Sequence, residues 1–257
     1  MIKVLVTGAK GQTGQCLQSI ANEYSDMEFV FLNSKELDLT NANQIEEVFS
    51  NQQPDYCINL AAYTAVDKAE DEVELAYKVN ASAVLSLAEM CTKYRVTLVH
   101  ISTDFIFGGE KNTPYTISDI PNPINVYGAS KLKGEEYIKA SLEKFYIVRT
   151  SWVYSDYGHN FKNTMLRLAQ TRDEISVVND QIGSPTHAVD LCHFILILVR
   201  ENKAYGVYNY RGSVICTWYD FAISIFKESS IDIKVNPIST EEYPTKARRP
   251  RYSVLEL

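Results

Sequence analysis

The sequence has 257 residues, of which 46% are hydrophobic, and a net charge of −7 at neutral pH. A chain of this length buries a substantial core, as one domain or one domain with a smaller appendage, whereas its apolar runs fall short of the roughly 20 residues that span a bilayer. The acidic balance, without a block of basic residues, excludes the cationic footprint of a nucleic-acid-binding protein. Because "MIKVLVTGAKG" enters a strand-like stretch without a cleavable signal pattern, we expect a soluble cytoplasmic protein.

The cysteines and histidines show no pattern typical of disulfides or metal sites. The four histidines lack metal-ligand spacing, the loose His187-x-x-Asp190 being the nearest approach, so we expect no metal site. The five cysteines include no Cys-x-x-Cys pair, which indicates reduced thiols; they are Cys16, Cys57, Cys91, Cys192 and Cys216.

The first 150 residues alternate between short apolar runs and longer amphipathic segments. The stretch 74–94 has apolar residues at spacings of three and four, which predicts a helix. Strands alternating with helices predict βαβ units, and therefore a Rossmann-type, doubly wound parallel sheet. The predicted strands are 3–8, 28–32, 55–61, 96–103 and 145–150.

After residue 150 the pattern is looser and predicts a smaller mixed region over the carboxyl edge of the sheet. Strand-like stretches at 175–180 and 206–212 lie among helix candidates at 188–202 and 217–229. We expect a dinucleotide-binding domain over 1–150 and a mainly substrate-binding region over 151–257, with an approximate boundary across which the two can interleave.

A glycine loop follows the first predicted strand. In "GAKGQTG", Gly8, Gly11 and Gly14 permit a tight turn and bring a pyrophosphate close to the amides that begin the next helix. Its place in a βαβ series favours nucleotide binding over a purely structural turn. The G-x-x-G-x-x-G spacing indicates a particular branch of dinucleotide-binding proteins.

The end of the second predicted strand bears on the choice of cofactor. An NAD-preferring site usually has an Asp or Glu there to bind the ribose 2′-hydroxyl, whereas this sequence has Asn33, Ser34 and Lys35. Neutral and basic groups tolerate a 2′-phosphate, so NADP(H) is favoured and NAD(H) stays open. Lys35 as a solvated lysine is the alternative.

The fourth predicted strand ends in Ser102 and Thr103, at the edge where open parallel sheets bind ligands. A hydroxyl there can bind a substrate carbonyl, or it can satisfy local backbone.

Tyr127 and Lys131 lie four residues apart on the helix candidate that follows. With 17 tyrosines in the chain, about one Tyr-x-x-x-Lys is expected by chance, so the context decides. An i, i+4 pair lies on one helix face, and we expect the Lys131 ammonium to lower the pKa of the Tyr127 phenol. With a nicotinamide on the glycine loop, the pair completes a ketone/alcohol redox site.

Nine segments, in order and over nearly the whole chain, resemble the extended short-chain dehydrogenase/reductase family and, within it, the dTDP-4-dehydrorhamnose reductases. The run "AAYTAVDKAE" with "STDFIFGG" is more specific than any glycine loop. The segments are "GAKGQTGQ", "ELDLTN", "NLAAYTAVDKAE", "VNASAVLSLA", "HISTDFIFGG", "NPINVYGASKLKGE", "VRTSWVY", "QIGSPTHAVDL" and "RRPRYSVL".

The resemblance implies NAD(P)H-dependent reduction of the 4-keto group of dTDP-4-dehydro-6-deoxy-L-mannose to dTDP-L-rhamnose, for cell-surface polysaccharide. Tyr127 would be the proton donor, Lys131 would hold the nicotinamide ribose, and Thr103 would position the ketone. The partner is a small nucleotide sugar, and a homodimer is left open. Implied substrate contacts are Val66, Thr103, Asp104, Phe105, Tyr127 and Trp152. Implied cofactor contacts are Gly11, Gln12, Thr13, Asp38, Leu39, Ala61, Ala62, Tyr63 and Thr64.

Several of these residues have a structural alternative. Asp38 can instead cap the helix that follows, Trp152 and Phe105 can be core aromatics, and Asp104 can anchor its own loop. The cluster "KARRPR" reads as a solvated run, although its Arg248 or Arg249 could attract a diphosphate.

Two departures from the family pattern stand out. Thr13 replaces an apolar residue, which the backbone contacts of the loop should tolerate. The resemblance also implies a further helix after "SVLEL", and we expect its absence to expose apolar surface in the substrate half.

Two further functions stay open. The chain could be a non-catalytic NADP-binding subunit, against which Thr103, Tyr127 and Lys131 argue. It could also be another nucleotide-sugar enzyme, an epimerase or a dehydratase; an acidic pair is expected in a dehydratase, but Phe105 follows Asp104.

Overall fold

The computed structural model describes residues 1–257 and contains twelve strands and nine α-helices. The strands are β1 (Ile2–Thr7), β2 (Met27–Leu32), β3 (Tyr56–Asn59), β4 (Thr97–Thr103), β5 (Phe145–Thr150), β6 (Val153–Tyr154), β7 (Glu174–Val178), β8 (Ile182–Gly183), β9 (Thr186–His187), β10 (Gly206–Asn209), β11 (Cys216–Thr217) and β12 (Lys234–Ile238). The helices are α1 (Gln12–Ile20), α2 (Ala42–Gln52), α3 (Val66–Ala69), α4 (Val73–Tyr77), α5 (Ala83–Tyr94), α6 (Val126–Ser141), α7 (Phe161–Ala169), α8 (Ala188–Arg200) and α9 (Trp218–Glu228).

Six strands form one parallel sheet in the order β10-β5-β4-β3-β1-β2. A strand in such a sheet is buried on both faces, which is why these segments read as continuous apolar runs. In β1, Val4 and Val6 pack into the core on one face while Leu5 packs into the core on the other. Helices α1 and α8 cover the first face, and α2, α5 and α6 cover the second. The predicted doubly wound fold is confirmed.

The order of the strands reverses at β1, because β2 lies on one side of it and β3 on the other. The carboxyl ends of β1 and β3 therefore flank a topological switch point, where open α/β sheets bind their ligands. The glycine loop after β1, the segments after β2 and β3, and Thr103 at the end of β4 all lie at this edge.

The predicted helix over 74–94 is interrupted. Between α4 and α5 the segment Lys78–Ser82 forms one turn of π-helix, which adds a residue to the turn and is frequent at functional sites. This turn contains Asn80, which is buried.

The second half has a small core of its own, formed by α7, α9 and the β7–β12 pair around Met165, Ile175 and Phe221. Helix α9 begins with a capping box between Thr217 and Asp220. Both α8 and β10 follow residue 150 in the chain, yet they lie against and within the main sheet. The division at residue 150 stays a prediction.

None of the helices has both the length and the apolar character needed to traverse a bilayer.

Candidate active site

The glycine loop has no room for side chains at Gly8 and Gly14. Gly8 has a φ of 71°, and a Cβ there would lie 2.7 Å from the backbone nitrogen of Ala61. A Cβ on Gly14 would collide with the carbonyl oxygen of Gly8. Gly11 precedes α1 without a side-chain cap, and the first turn has no acidic residue. The amides that begin α1 are thus free for an anion, so the loop fits a pyrophosphate.

Gln12 connects this loop to the second half of the chain. Its Nε2 donates to the carbonyl oxygen of Val153 at 3.0 Å, and its Oε1 accepts from Nδ2 of Asn160 at 2.6 Å. The side chain is committed to these partners, so an anion would meet the main chain of Gln12 and Thr13. Asn160, which sequence reasoning missed, also caps α7 by accepting from the Asn163 amide; an Asn just before an amphipathic segment was the available signal.

The segment after β2 is held by local hydrogen bonds. Lys35 is exposed, and its amide donates to Oδ1 of Asn33 at 2.9 Å. Glu36, which sequence reasoning passed over, accepts from the Asn33 amide at 2.8 Å. A carboxylate therefore does lie at this edge, beside the exposed lysine.

Asp38 does not cap the helix that follows, which corrects the structural alternative. Asn41 caps α2 by accepting from the amides of Asn43 and Gln44. Asp38 accepts instead from the Thr40 amide at 2.8 Å, and this bond lowers the pKa of its carboxyl group. Leu39 is buried in the core against the sheet, so only its main chain is free for a ligand.

The loop after β3 is fixed by the π-helical turn. Asn80 accepts from the Tyr63 amide at 2.9 Å and donates to the Tyr63 carbonyl oxygen at 3.0 Å. This paired contact shapes the segment Ala61–Ala62–Tyr63–Thr64 beside the glycine loop. Asn80 escaped sequence reasoning because nothing in the "VNASA" run signals a π-turn.

Thr103 and Tyr127 meet where β4 ends and α6 begins. The Thr103 hydroxyl accepts from the Phe105 amide at 3.1 Å and donates to Oδ1 of Asp104 at 3.1 Å. The Phe105 ring lies edge-on to Tyr127, with centroids 6.0 Å apart. Gly128 has no room for a Cβ against the Phe105 carbonyl oxygen, which lets α6 approach this closely. Ser102 faces the other way and donates to Glu135 at 2.6 Å.

Asn125 sets the start of α6, and sequence reasoning gave it no role. Its side chain accepts from the Gly128 amide at 2.7 Å and donates to the Arg248 carbonyl oxygen at 2.9 Å. The cap thus ties the Tyr127 helix to the C-terminal segment.

The expected lowering of the Tyr127 pKa by Lys131 was wrong for this structure. Burial raises the pKa of Tyr127 to about 12, with the Thr103 hydroxyl acting in the opposite direction. The Lys131 amine turns away to the Ile101 carbonyl oxygen at 2.6 Å and to Nε2 of His100 at 3.2 Å. Burial lowers the pKa of Lys131 itself to about 8.

Asp104 is buried, and its Oδ2 has no hydrogen-bond partner. Burial raises the pKa of its carboxyl group to about 7, although the nearby hydroxyls of Ser253 and Thr103 oppose the shift. A carboxyl group in this state can donate or accept near neutral pH.

The remaining candidate residues lie on α3 and in the second half of the chain. Val66 begins α3, and the next residue, Asp67, forms a bidentate pair with Arg249 at 2.5 and 2.6 Å. Arg249 is therefore not free for a diphosphate, whereas Arg248 is exposed. Trp152, with a φ of 46°, stacks on Trp218 at 3.5 Å between centroids. It is partly buried at the edge of the small core.

Known proteins resemble this chain over its full length. A family model described as RmlD substrate binding domain matches residues 2–257. A dTDP-4-dehydrorhamnose reductase of Aggregatibacter actinomycetemcomitans is 41% identical, covering 100% of this chain and 91% of the relative. The Bacillus subtilis (strain 168) spore coat polysaccharide biosynthesis protein SpsK is also 41% identical, covering 99% of this chain and 89% of the relative.

A solved structure gives the same result. The crystal structure of dTDP-4-dehydrorhamnose reductase from Bacillus anthracis in complex with NADP is 42% identical, covers 100% of this chain and 91% of that chain, and superposes with a TM-score of 0.97. The resemblance seen in the sequence is confirmed: the chain belongs to the dTDP-4-dehydrorhamnose reductase family of oxidoreductases.

Proposed function

We propose that the protein reduces the 4-keto group of dTDP-4-dehydro-6-deoxy-L-mannose to give dTDP-L-rhamnose, using NADPH in preference to NADH. The observation that carries this proposal is the position of Thr103 and Tyr127 at the carboxyl edge of the sheet, the same edge at which the glycine loop follows β1. The Aggregatibacter actinomycetemcomitans and Bacillus anthracis proteins named above are both called dTDP-4-dehydrorhamnose reductase.

The cofactor, Tyr127 and Thr103 have separate roles in this reaction. The nicotinamide cofactor, when bound, supplies a hydride to the carbon of the ketone. Tyr127 supplies the proton to its oxygen, and a phenol with a pKa of about 12 is protonated at neutral pH, as a donor must be. The Thr103 hydroxyl, which donates to Asp104 in the absence of substrate, would turn its proton to the ketone oxygen while it still accepts from the Phe105 amide.

The cofactor would lie across the switch point. The amides of Gln12 and Thr13, which follow Gly11, would bind its pyrophosphate, and the segments 33–39 and 61–64 would flank its adenosine and nicotinamide ends. Preference for NADPH rests on exposed Lys35 and on the NADP complex of the Bacillus anthracis relative. Glu36 at the same edge argues for some use of NADH.

The sugar would lie between the β4 end and the second half. We assign its contacts to Val66, Thr103, Asp104, Phe105, Tyr127 and Trp152, which come from both halves. A cytoplasmic location and a homodimer stay predictions.

The test is to follow NADPH oxidation by the purified protein with and without the dTDP-4-keto-6-deoxy sugar, and to identify the product. Sugar-dependent oxidation that yields dTDP-L-rhamnose is the expected result. A folded protein that binds NADPH but oxidises none of it would overturn the proposal and favour a non-catalytic binding subunit. Tightly held, copurified NAD without net oxidation would favour an epimerase.

A further inference from the structure

A chain of buried polar groups runs beneath the proposed site, and neither the cofactor nor the sugar would touch most of it. Thr7 on β1, Asn59 on β3, His100 on β4 and Lys131 on α6 are each at most 2% exposed. Asn59 Nδ2 lies 3.1 Å from His100 Nδ1, and His100 Nε2 lies 3.2 Å from Lys131 Nζ. Thr7 and Asn59 share a hydrogen bond of 2.7 Å.

The backbone fixes which of these buried side chains donate and which accept hydrogen bonds. The Ala61 amide donates to Asn59 at 3.2 Å, and an N–H can only donate, so the Asn59 atom that faces it is the oxygen. The Asn59 NH2 group therefore points at His100 and must donate to Nδ1. A neutral imidazole that accepts at Nδ1 carries its proton on Nε2.

His100 is neutral because burial lowers its pKa well below the usual range. Its Nε2 proton then faces the Lys131 amine, which already donates to the Ile101 carbonyl oxygen at 2.6 Å. A neutral amine has a lone pair to accept that proton, whereas an ammonium has only donors. The other histidine tautomer does not help, because it sets two donors against each other at Asn59.

We propose that Asn59 and His100 are positioning residues that set the protonation state of Lys131, since their hydrogen-bonded chain is complete only when that amine is neutral. The inference deepens the proposed function, because it rests on Lys131 belonging to the active site.

The other titratable groups around Lys131 do not replace His100 in setting its protonation state. Glu135, one turn along α6, favours the ammonium, but it is shared with Arg149 on β5 at 2.8 Å, with Lys139 at 3.1 Å and with Ser102. Tyr127, one turn earlier, is uncharged at neutral pH. Burial lowers the Lys131 pKa to about 8 against the opposing effect of Glu135, so this lysine can gain or lose a proton near neutrality.

The direct test is NMR titration of the full-length protein with 13C-labelled lysine Cε, using a Lys131→Arg variant to assign the Lys131 signal. In the wild type we expect this signal to titrate near pH 8, and titration at the ordinary lysine value of about 10.4 would overturn the proposal.

Two variants and a control distinguish the effect of the Asn59–His100 hydrogen bonds on the Lys131 pKa from the effect of burial alone. In His100→Gln an amide oxygen can accept from the ammonium, so the midpoint should rise by about one pH unit or more. Asn59→Asp keeps an oxygen toward the Ala61 amide, but its second carboxylate oxygen requires a proton on Nδ1 of His100. Nε2 of His100 can then accept from the Lys131 ammonium, so the Lys131 midpoint should rise in this variant too. Thr7→Val leaves the tautomer unchanged and should leave the midpoint unchanged.

A midpoint that is the same in both variants and in the wild type would sink the inference, and either variant suffices if the other does not fold. The titration needs neither cofactor nor sugar, so failure of the proposed reaction is recognised separately by the oxidation assay. In an active protein, the pH dependence of turnover should move with the NMR midpoint in His100→Gln, which a purely structural role of His100 would not produce.

Discussion

Tyr127 and Asp104 show how burial, rather than a neighbouring charge, sets the acid–base chemistry of single residues in this site. Both pKa values are raised by burial, so both groups hold their protons at higher pH than usual. The Thr103 hydroxyl contacts both side chains. Under the proposed function, Tyr127 would therefore be protonated when the ketone binds.

Tyr127→Phe should lower turnover by about 10²- to 10⁴-fold, because general acid catalysis at the ketone oxygen is lost. NADPH affinity, measured by fluorescence titration, should change little. The matched control is Tyr137→Phe, which removes a phenol from the same helix at a position where the ring contacts Lys133 and none of the site residues. Full turnover by Tyr127→Phe would show that another group donates the proton.

Asp104 should make the protein less stable as the pH rises. Because its folded-state pKa of about 7 lies above the unfolded value, its favourable contribution is complete below about pH 4 and is lost as the pH rises through 7. Between pH 5 and pH 8, denaturant unfolding should show the wild type losing roughly 2 kcal/mol relative to Asp104→Asn.

Asp38→Asn provides a control of opposite sign, because the pKa of Asp38 is lowered and its contribution is lost as the pH falls. Parallel pH profiles for wild type and Asp104→Asn would contradict the raised pKa of Asp104.

At the scale of elements, the sequence predicted the strands because each is a short apolar run, buried on both faces of a parallel sheet. It also predicted the glycine loop, since only glycine fits at Gly8 and Gly14. It could not predict the π-turn at Asn80, which depends on tertiary hydrogen bonds to Tyr63. His100 looked like an ordinary histidine, because its partners come from another strand and a helix.

The end of β2 should bias the choice of cofactor. Lys35→Ala should raise the KM for NADPH by about 3- to 10-fold more than the KM for NADH, since an exposed lysine contributes about 1 kcal/mol to binding a phosphate. Steady-state kinetics with both cofactors measures this, with exposed Lys227→Ala on α9 as the control. Equal effects on the two cofactors would remove Lys35 from 2′-phosphate recognition.

At the scale of the whole molecule, the two halves are held together by a few specific contacts around the site. Gln12 contacts Val153 and Asn160, and Asn125 contacts Arg248. The bidentate Asp67–Arg249 pair fixes the C-terminal segment against α3. None of these pairs could be predicted from the sequence, because their partners lie more than 100 positions apart in the chain.

Arg249→Lys should raise the KM for the sugar by several-fold with a smaller effect on the KM for NADPH, because a lysine cannot form the bidentate pair that positions α3 and Val66. The control is Lys246→Ala, which removes a neighbouring but exposed ion pair with Asp71 and should change neither constant. Equal rises in both constants would indicate general loosening instead of a sugar contact.

The C-terminal segment also has a consequence for synthesis on the ribosome. Tyr115 is clamped by backbone bonds to Val254 and Glu256, and its carbonyl oxygen also accepts from Asn209. Helix α1, made first, packs against α8, which is made much later. At about 5–20 residues per second, roughly 10 to 30 seconds separate the synthesis of Tyr115 and of α1 from that of these partners, so we expect both contacts to form late in synthesis.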